Sequence, residues 1–194
     1  MRFEYAPGAT PIDLDEAAGL IPAHLTLQRE LNEYEEANIL DATEWVFARR
    51  RGDPLDEPFI RTVLRRMFNQ TWRWAGKARR TDKNIGVSWF EIPVRLRQLL
   101  GDVRAQIEHR AYSPVEIAAR YHHRLVAIQV FANGNGRHAR LMADLLSTEL
   151  AGRRFAWGRG SLVTGTELRA RYIAALQAAD AGDCRPLLEF LESP

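Results

Sequence analysis

Ile128-Gln129-Val130-Phe131-Ala132-Asn133-Gly134-Asn135-Gly136-Arg137-His138-Ala139-Arg140 decides how the rest of the chain is read. An apolar run ends at Ala132 and a Gly-Asn-Gly turn follows. Glycine reaches backbone angles closed to most residues, so such a turn can aim successive N–H groups into one concavity that holds an anion. A helix starts at the same point, which adds unpaired N–H groups and a positive dipole end. Arg137 and Arg140 lie three apart on that helix and can converge on one anion. Guanidinium groups stay charged and grip phosphate oxygens in pairs. Together these features read as a polyphosphate site; the plain alternative is a turn between helices with two surface arginines. A P-loop is not supplied, because Gly136-Arg137-His138 stands where Gly-Lys-Ser/Thr is needed. The spacing from Gly134 to Ala139 also fits G-x-G-x-x-A, so a dinucleotide-binding fold stays open as a weaker reading, with residues 125–131 as its strand.

Working outward, the chain reads as helices. Ser113-Pro114-Val115-Glu116 is a capping box with proline at the first helical position, and Ile117, Tyr121, Leu125 and Ile128 share one side of the helix it starts. That helix runs directly into the loop, where a dinucleotide fold would need a strand. After the loop, Leu141, Leu145, Met142 and Leu146 face inward. Thr164-Gly165-Thr166-Glu167 has capping-box spacing ahead of Leu168, Tyr172 and Leu176. Gly182 stops this helix and Pro186 begins a short last one. Toward the N-terminus, a long helix is expected over residues 25–51, with Leu27, Leu31, Tyr34 and Trp45 in register. Gly52-Asp53-Pro54 ends it, and Asp56 can cap a helix bearing Phe59, Val63 and Met67. A further helix starts near Pro93, with Leu96, Leu99, Val103 and Ile107 at helical spacing. Between residues 71 and 89 the helical period fails, and Ile85-Gly86-Val87 reads as a short extended flap. Residues 1–22 read as an irregular lead-in. The expectation is one all-α domain over residues 1–194.

Bulk composition narrows the class. The 194 residues are 46% hydrophobic and 27% charged, with net charge +2 from 27 basic and 25 acidic side chains. That balance gives no case for direct nucleic-acid binding, and Arg49-Arg50-Arg51 and residues 77–83 read as solvated basic faces. No apolar run approaches a membrane span. The start of the chain carries acids and prolines and no signal-like apolar core. The single Cys184 suits a reducing compartment. A cytoplasmic protein is expected. Cys184, Trp72, Trp74 and Trp157 are expected to pack, as large or soft side chains usually do.

The loop resembles the signature of the Fic (Fido) family, His-x-Phe-x-Asp/Glu-Gly-Asn-Gly-Arg-x-x-Arg. Phe131, Gly134, Asn135, Gly136, Arg137 and Arg140 match it. The run from Met67-Phe68 through Trp74-Ala75-Gly76-Lys77-Ala78-Arg79 looks like the family segment leading into a target-binding flap. The likeness is strongest to the subgroup called mobile mystery protein B. The resemblance implies a Fic-type helical domain with a short β-hairpin flap. It implies AMP transfer from ATP, with Mg²⁺, to a hydroxyl of a target protein. Gly134, Asn135, Gly136 and Arg137 would hold phosphates, with Arg140 beyond them and Asn133 at the metal position. Lys83, Asn84, Ile85, Gly86 and Val87 would form the flap, which takes the target as an added strand. The subgroup also suggests a small helix-turn-helix partner protein.

Two signature positions depart. The catalytic histidine position holds Gln129. A carboxamide can orient a hydroxyl but cannot take its proton, and losing a general base removes about 10² to 10⁴ in rate. Val130 beside it replaces the usual proline, which disfavours an introduced single change. The acidic metal position holds Asn133, a weaker Mg²⁺ ligand than a carboxylate. His122 and His123 lie about two turns before Gln129, too far along the helix to substitute, and His138 follows Arg137; all three read as structural or surface histidines. Thr26-Leu-Gln-Arg-Glu30 matches most of the family's self-inhibitory motif, so Glu30 is expected to pair with Arg140. Two functions follow: a Fic-type transferase with impaired or altered chemistry, or a catalytically inactive nucleotide-binding regulatory partner.

Overall fold

The computed structural model describes residues 13–22, 24–25, 27–48, 52–159 and 166–193. Its helices are α1 (Leu14–Ala17), α2 (Gln28–Ala48), α3 (Glu57–Phe68), α4 (Ile92–Glu108), α5 (Pro114–Ile128), α6 (Asn135–Ala151), α7 (Thr166–Asp180) and α8 (Arg185–Glu192). Their starts follow from the capping residues. Asp56 accepts the Phe59 N–H and Ser113 accepts the Glu116 N–H, each filling one of the donors a helix start leaves unpaired. Proline stands in the first turn of α3, α4, α5 and α8, where its missing N–H costs nothing. The Thr164 capping box and the basic run at residues 49–51 lie outside the described residues. The expected lead-in is described only from residue 13, and there it includes the one-turn α1.

Helices α5 and α6 pack against each other, α2 packs on α3, α4 on α5, and α7 on α8. Buried apolar side chains from Leu25 to Leu191 form one cluster, with Phe68, Phe131, Leu96 and Met142 fully enclosed. Trp72 is buried at 1% exposure, as expected of a packing tryptophan, and stacks on Trp74 with ring centroids 5.3 Å apart. Cys184 is buried at the start of α8.

The architecture is helical, and among the described residues there is no sheet. Residues 83–87, expected as a β-hairpin, are irregular, with bends at 84–87 and no strand pairing. The segment is instead tied down from several sides. Arg79 N–H donates to Val130 O at 3.1 Å, Val87 N–H donates to Ile128 O at 3.4 Å, and Ala78 makes an isolated bridge with Phe131. A hairpin needs two strands in mutual register, and here the second partner is the signature loop. Among the described residues there is no strand–helix alternation of the kind a dinucleotide fold is built from.

Candidate phosphate-binding site

The site begins where α5 stops. Ile128 is the last helical residue, and Gln129 adopts a left-handed conformation at φ 54°, ψ 62°. That conformation costs a residue with a Cβ about 1 to 2 kcal/mol, so something must hold it. Arg79 does. Its buried guanidinium donates from Nε to Gln129 O at 2.6 Å, from Nη1 to Thr81 O at 2.7 Å, and from Nη2 to Val87 O. Burial pushes the Arg79 pKa down, partly offset by Asp82 and Glu16. Gln129 itself is buried at 6% exposure, and its Nε2 donates back to Val126 O at 2.8 Å. Gly86 lies directly over it: a Cβ at position 86 would meet Gln129 Cβ at 2.6 Å.

Val130, Phe131 and Ala132 then turn inward, and Phe131 is fully buried. The loop closes on itself through Asn135, whose Oδ1 accepts Phe131 N–H at 2.9 Å and whose Nδ2 donates to Phe131 O at 2.8 Å. This changes the expected role of Asn135. Both ends of its carboxamide bond within the loop, so its backbone N–H is the group that faces outward with the rest of the helix start. Gly134 has φ 76°, while Gly136 is an ordinary helical residue of α6. The turn therefore needs one left-handed glycine, not two. A Cβ at Gly134 would lie 2.7 Å from the Phe68 ring; one at Gly136 would meet nothing within 4 Å. The first turn of α6 leaves its N–H groups without helical acceptors, and His138 N–H makes the first return bond, to Gly134 O at 2.9 Å.

The two arginines are held differently. Arg137 places its guanidinium 4.8 Å from the Phe68 ring centre and donates from Nη1 to Glu35 Oε2 at 2.6 Å. Arg140 turns toward α7, with Cζ 5.9 Å from the Tyr172 ring centre. Burial pushes the Arg140 pKa down, the Tyr172 hydroxyl raises it, and the charges of Arg137 and Arg169 lower it further. The Tyr172 hydroxyl also lies 3.0 Å from His122 Nε2. Neither arginine is a loose surface side chain.

The histidines are structural. His138 Nε2 bonds Ile60 O at 2.9 Å inside the core, and its ring meets Phe131 edge-on at 5.2 Å. His123 bonds Asp180 at 2.7 Å. His122 and His138 are buried, which pushes their pKa values down to about 3 and about 4. None stands in for a base at position 129.

Two other expectations shift. Lys83, expected in the target flap, has a buried ammonium that bonds Asp13 at 2.7 Å and Glu16 at 2.5 Å, so it fastens the segment to α1. Glu30 accepts Leu27 N–H at 3.2 Å at the start of α2. Among the described residues, the ion pair to a signature arginine comes from Glu35 and goes to Arg137. Asn133 Oδ1, the candidate metal donor, accepts Gly134 N–H at 2.6 Å. Among the described residues no three His, Cys, Asp or Glu side chains cluster as metal ligands. These side chains do not fit a magnesium site held by the protein alone.

Residues 54–147 match the model of the Fic/DOC family. These residues form a Fic/DOC family domain. Protein adenylyltransferase fic-1 from Caenorhabditis briggsae is 32% identical over 120 residues, covering 60% of this chain and 22% of that protein. Protein adenylyltransferase Fic from Aedes aegypti is 34% identical over 80 residues, covering 41% of this chain and 15% of that protein. The chain thus spans about a fifth of the length of the curated relatives it matches. Among solved structures, BepC from Bartonella tribocorum with bound AMPPNP superposes with TM-score 0.69 at 18% identity, covering 93% of this chain and 97% of that one. The Fic domain of a cell filamentation protein from Bartonella quintana with bound ADP gives TM-score 0.68 at 19% identity, covering 88% and 86%. These structural likenesses show the Fic fold.

Glu35, Arg79 and Tyr172 join the site without having stood out in the sequence as functional residues. Glu35 had a signal. Leu31, Glu35, Asn38, Ala42 and Val46 form one buried helical stripe, and a carboxylate inside such a stripe demands a partner. Arg79 and Tyr172 had none, because Arg79 is satisfied by backbone carbonyls, which carry no residue identity, and Tyr172 by His122 and Arg140 far away in sequence.

Proposed function

We propose that this domain binds the polyphosphate of ATP at the start of α6 and belongs to the AMP-transferring branch of its family, with transfer slowed because Gln129 cannot accept a proton. The carrying observation is the left-handed Gly134 that opens the first turn of α6, with Arg137 and Arg140 anchored beside it. The N–H groups of the first turn and the two guanidiniums supply charge-assisted donors for phosphate oxygens. Mg²⁺, which the family chemistry calls for, would arrive on the phosphates, with Asn133 as a minor ligand. Gly86 lies over Gln129, and residues 84–87 would present the target hydroxyl next to it. Residues 1–194 act as one domain in this reading.

A second reading has one observation in its favour. The Gln129 amide is already bonded to Val126 O, so it is committed to its own helix end. A domain that holds nucleotide without turnover, acting through a partner protein, fits that arrangement.

The test compares the wild type with Gln129→His. ATP binding is measured by calorimetry, and label transfer from α-labelled ATP with Mg²⁺ is followed on the protein itself and on lysate proteins. Both forms are expected to bind ATP, with the histidine form labelling about 10² to 10⁴ times faster. Equal labelling overturns the lost-base argument. Failure of both forms to bind ATP overturns the phosphate site.

A further inference from the structure

We infer that Glu35 is a positioning residue for Arg137, holding the guanidinium at the mouth of the phosphate site through a buried Trp72–Glu35–Arg137 chain. The inference rests on the phosphate reading of Arg137. The geometry is specific. Trp72 Nε1 donates to Glu35 Oε1 at 2.6 Å, and Arg137 Nη1 donates to Glu35 Oε2 at 2.6 Å. Both carboxylate oxygens are thus used, one on each partner. Trp72 is 1% exposed and Glu35 6% exposed, so the carboxylate is clamped inside the core. The Arg137 side chain keeps 27% of its surface exposed.

This division of surface decides between two roles for the acid. A carboxylate that blocks phosphate must be able to leave when phosphate arrives. Glu35 cannot leave without unmaking its bond to a buried tryptophan, and a buried donor left unpaired is costly. Arginine carries five N–H donors in a rigid fork. Glu35 engages one terminal nitrogen, and the Phe68 face supports the plane from below at 4.8 Å. The remaining edge is aimed outward by two contacts, which removes rotamer freedom that phosphate binding would otherwise have to freeze. Pairing also offsets the repulsion between Arg137 and the desolvated Arg140 before any anion is present. The carboxylate repels phosphate as well, but that repulsion acts through the guanidinium that lies between them.

The experiment is a double-mutant cycle on the full chain. ATP affinity is measured by calorimetry for the wild type, Glu35→Gln, Arg137→Met and the double variant, with a thermal melt confirming that each is folded. A glutamine at position 35 cannot accept from both Trp72 and Arg137, because one of its two ends is a donor. Glu35→Gln is expected to weaken ATP binding about tenfold, the scale of one charge-assisted hydrogen bond, and to add no further loss in the Arg137→Met background. A purely structural role would lower both backgrounds alike, which overturns the inference. Tighter ATP binding by Glu35→Gln overturns it in the other direction, making Glu35 an occluding group. Should Glu35→Gln fail to fold, Glu35→Asp replaces it in the cycle; it keeps the charge but is one methylene too short to span both partners, and the same non-additivity is required. If the wild type binds no ATP, the phosphate site itself fails and this inference falls with it.

Discussion

Alanine substitution at the two signature glycines should separate folding from binding. Gly134 sits at φ 76°, and a Cβ there would lie 2.7 Å from Phe68 Cε2 and Cζ. The left-handed angle costs alanine about 1 to 2 kcal/mol. Phe68 is fully buried, so it cannot swing away, and overpacking a core ring costs about 1 to 3 kcal/mol. The sum is about 2 to 5 kcal/mol, and for a chain of this size each kcal/mol lowers Tm by about 2 to 4 °C. Gly134→Ala should therefore melt roughly 5 to 20 °C lower. Phe68 also supports Arg137, so displaced packing reaches the guanidinium and ATP binding should weaken as well. Gly136 behaves in the opposite way. It is helical, and its missing Cβ would point into open space. Alanine there should leave Tm unchanged or raise it, since glycine inside a helix costs about 0.5 to 1 kcal/mol relative to alanine. That open space is where a phosphate would approach the backbone, so Gly136→Ala should lose ATP affinity while staying folded. Thermal melts and calorimetric titration with ATP read both effects. If Gly134→Ala melts with the wild type, the strain argument is wrong. If Gly136→Ala binds ATP as well as the wild type, the phosphates do not pack against this turn of backbone.

Three further outcomes are expected. Acidification should destabilise the fold between about pH 6.5 and 4: buried neutral His122 and His138, lowered to about 3 and about 4, resist protons that the unfolded chain accepts. Asp144 opposes them, since burial raises its pKa to about 6 and the folded state gains its proton first. From pH 7 to 5 the two histidines each cost about 2 kcal/mol and Asp144 returns about 1, a net loss of about 2 to 3 kcal/mol. Urea melts at both pH values check this, and equal midpoints would refute it. Arg79→Met leaves carbonyls of Gln129, Thr81 and Val87 without their donor, so it should cost about 3 to 5 kcal/mol and open residues 80–88 to limited proteolysis; unchanged cleavage would count against Arg79 as the clamp. Tyr172→Phe removes the hydroxyl shared by His122 and Arg140 and should weaken ATP binding more than AMP binding, whereas equal losses would mean that Arg140 does not reach the outer phosphates.

What the sequence made legible was local. Ser113 and Asp56 cap the helices they were expected to cap, because a cap and its acceptor lie within one turn. The α5–loop–α6 unit was legible for the same reason: an apolar helix, a left-handed glycine and a second helix are all written in consecutive residues. The flap misled because Ile85-Gly86-Val87 alternates like a strand, yet its neighbour in space is Ile128, about forty residues away, and Lys83 is drawn to α1. Pairing across that distance leaves no period in the sequence.

The same distance hid the groups that make the site more than a turn between helices. Glu35 reaches Arg137 across 102 residues, and Arg79 reaches Gln129 across 50. These contacts also bear on function. Arg140 is desolvated and feels the like charges of Arg137 and Arg169, all of which lower its pKa. Burying a cation beside other cations opposes folding, and Glu35 offsets only the Arg137 member of the set. The positive charge around Arg140, near which Asp144 also lies, is one that a further anion would stabilise. A polyphosphate set against the open first turn of α6 would do so, and would reverse the sign of the interaction at every one of these arginines.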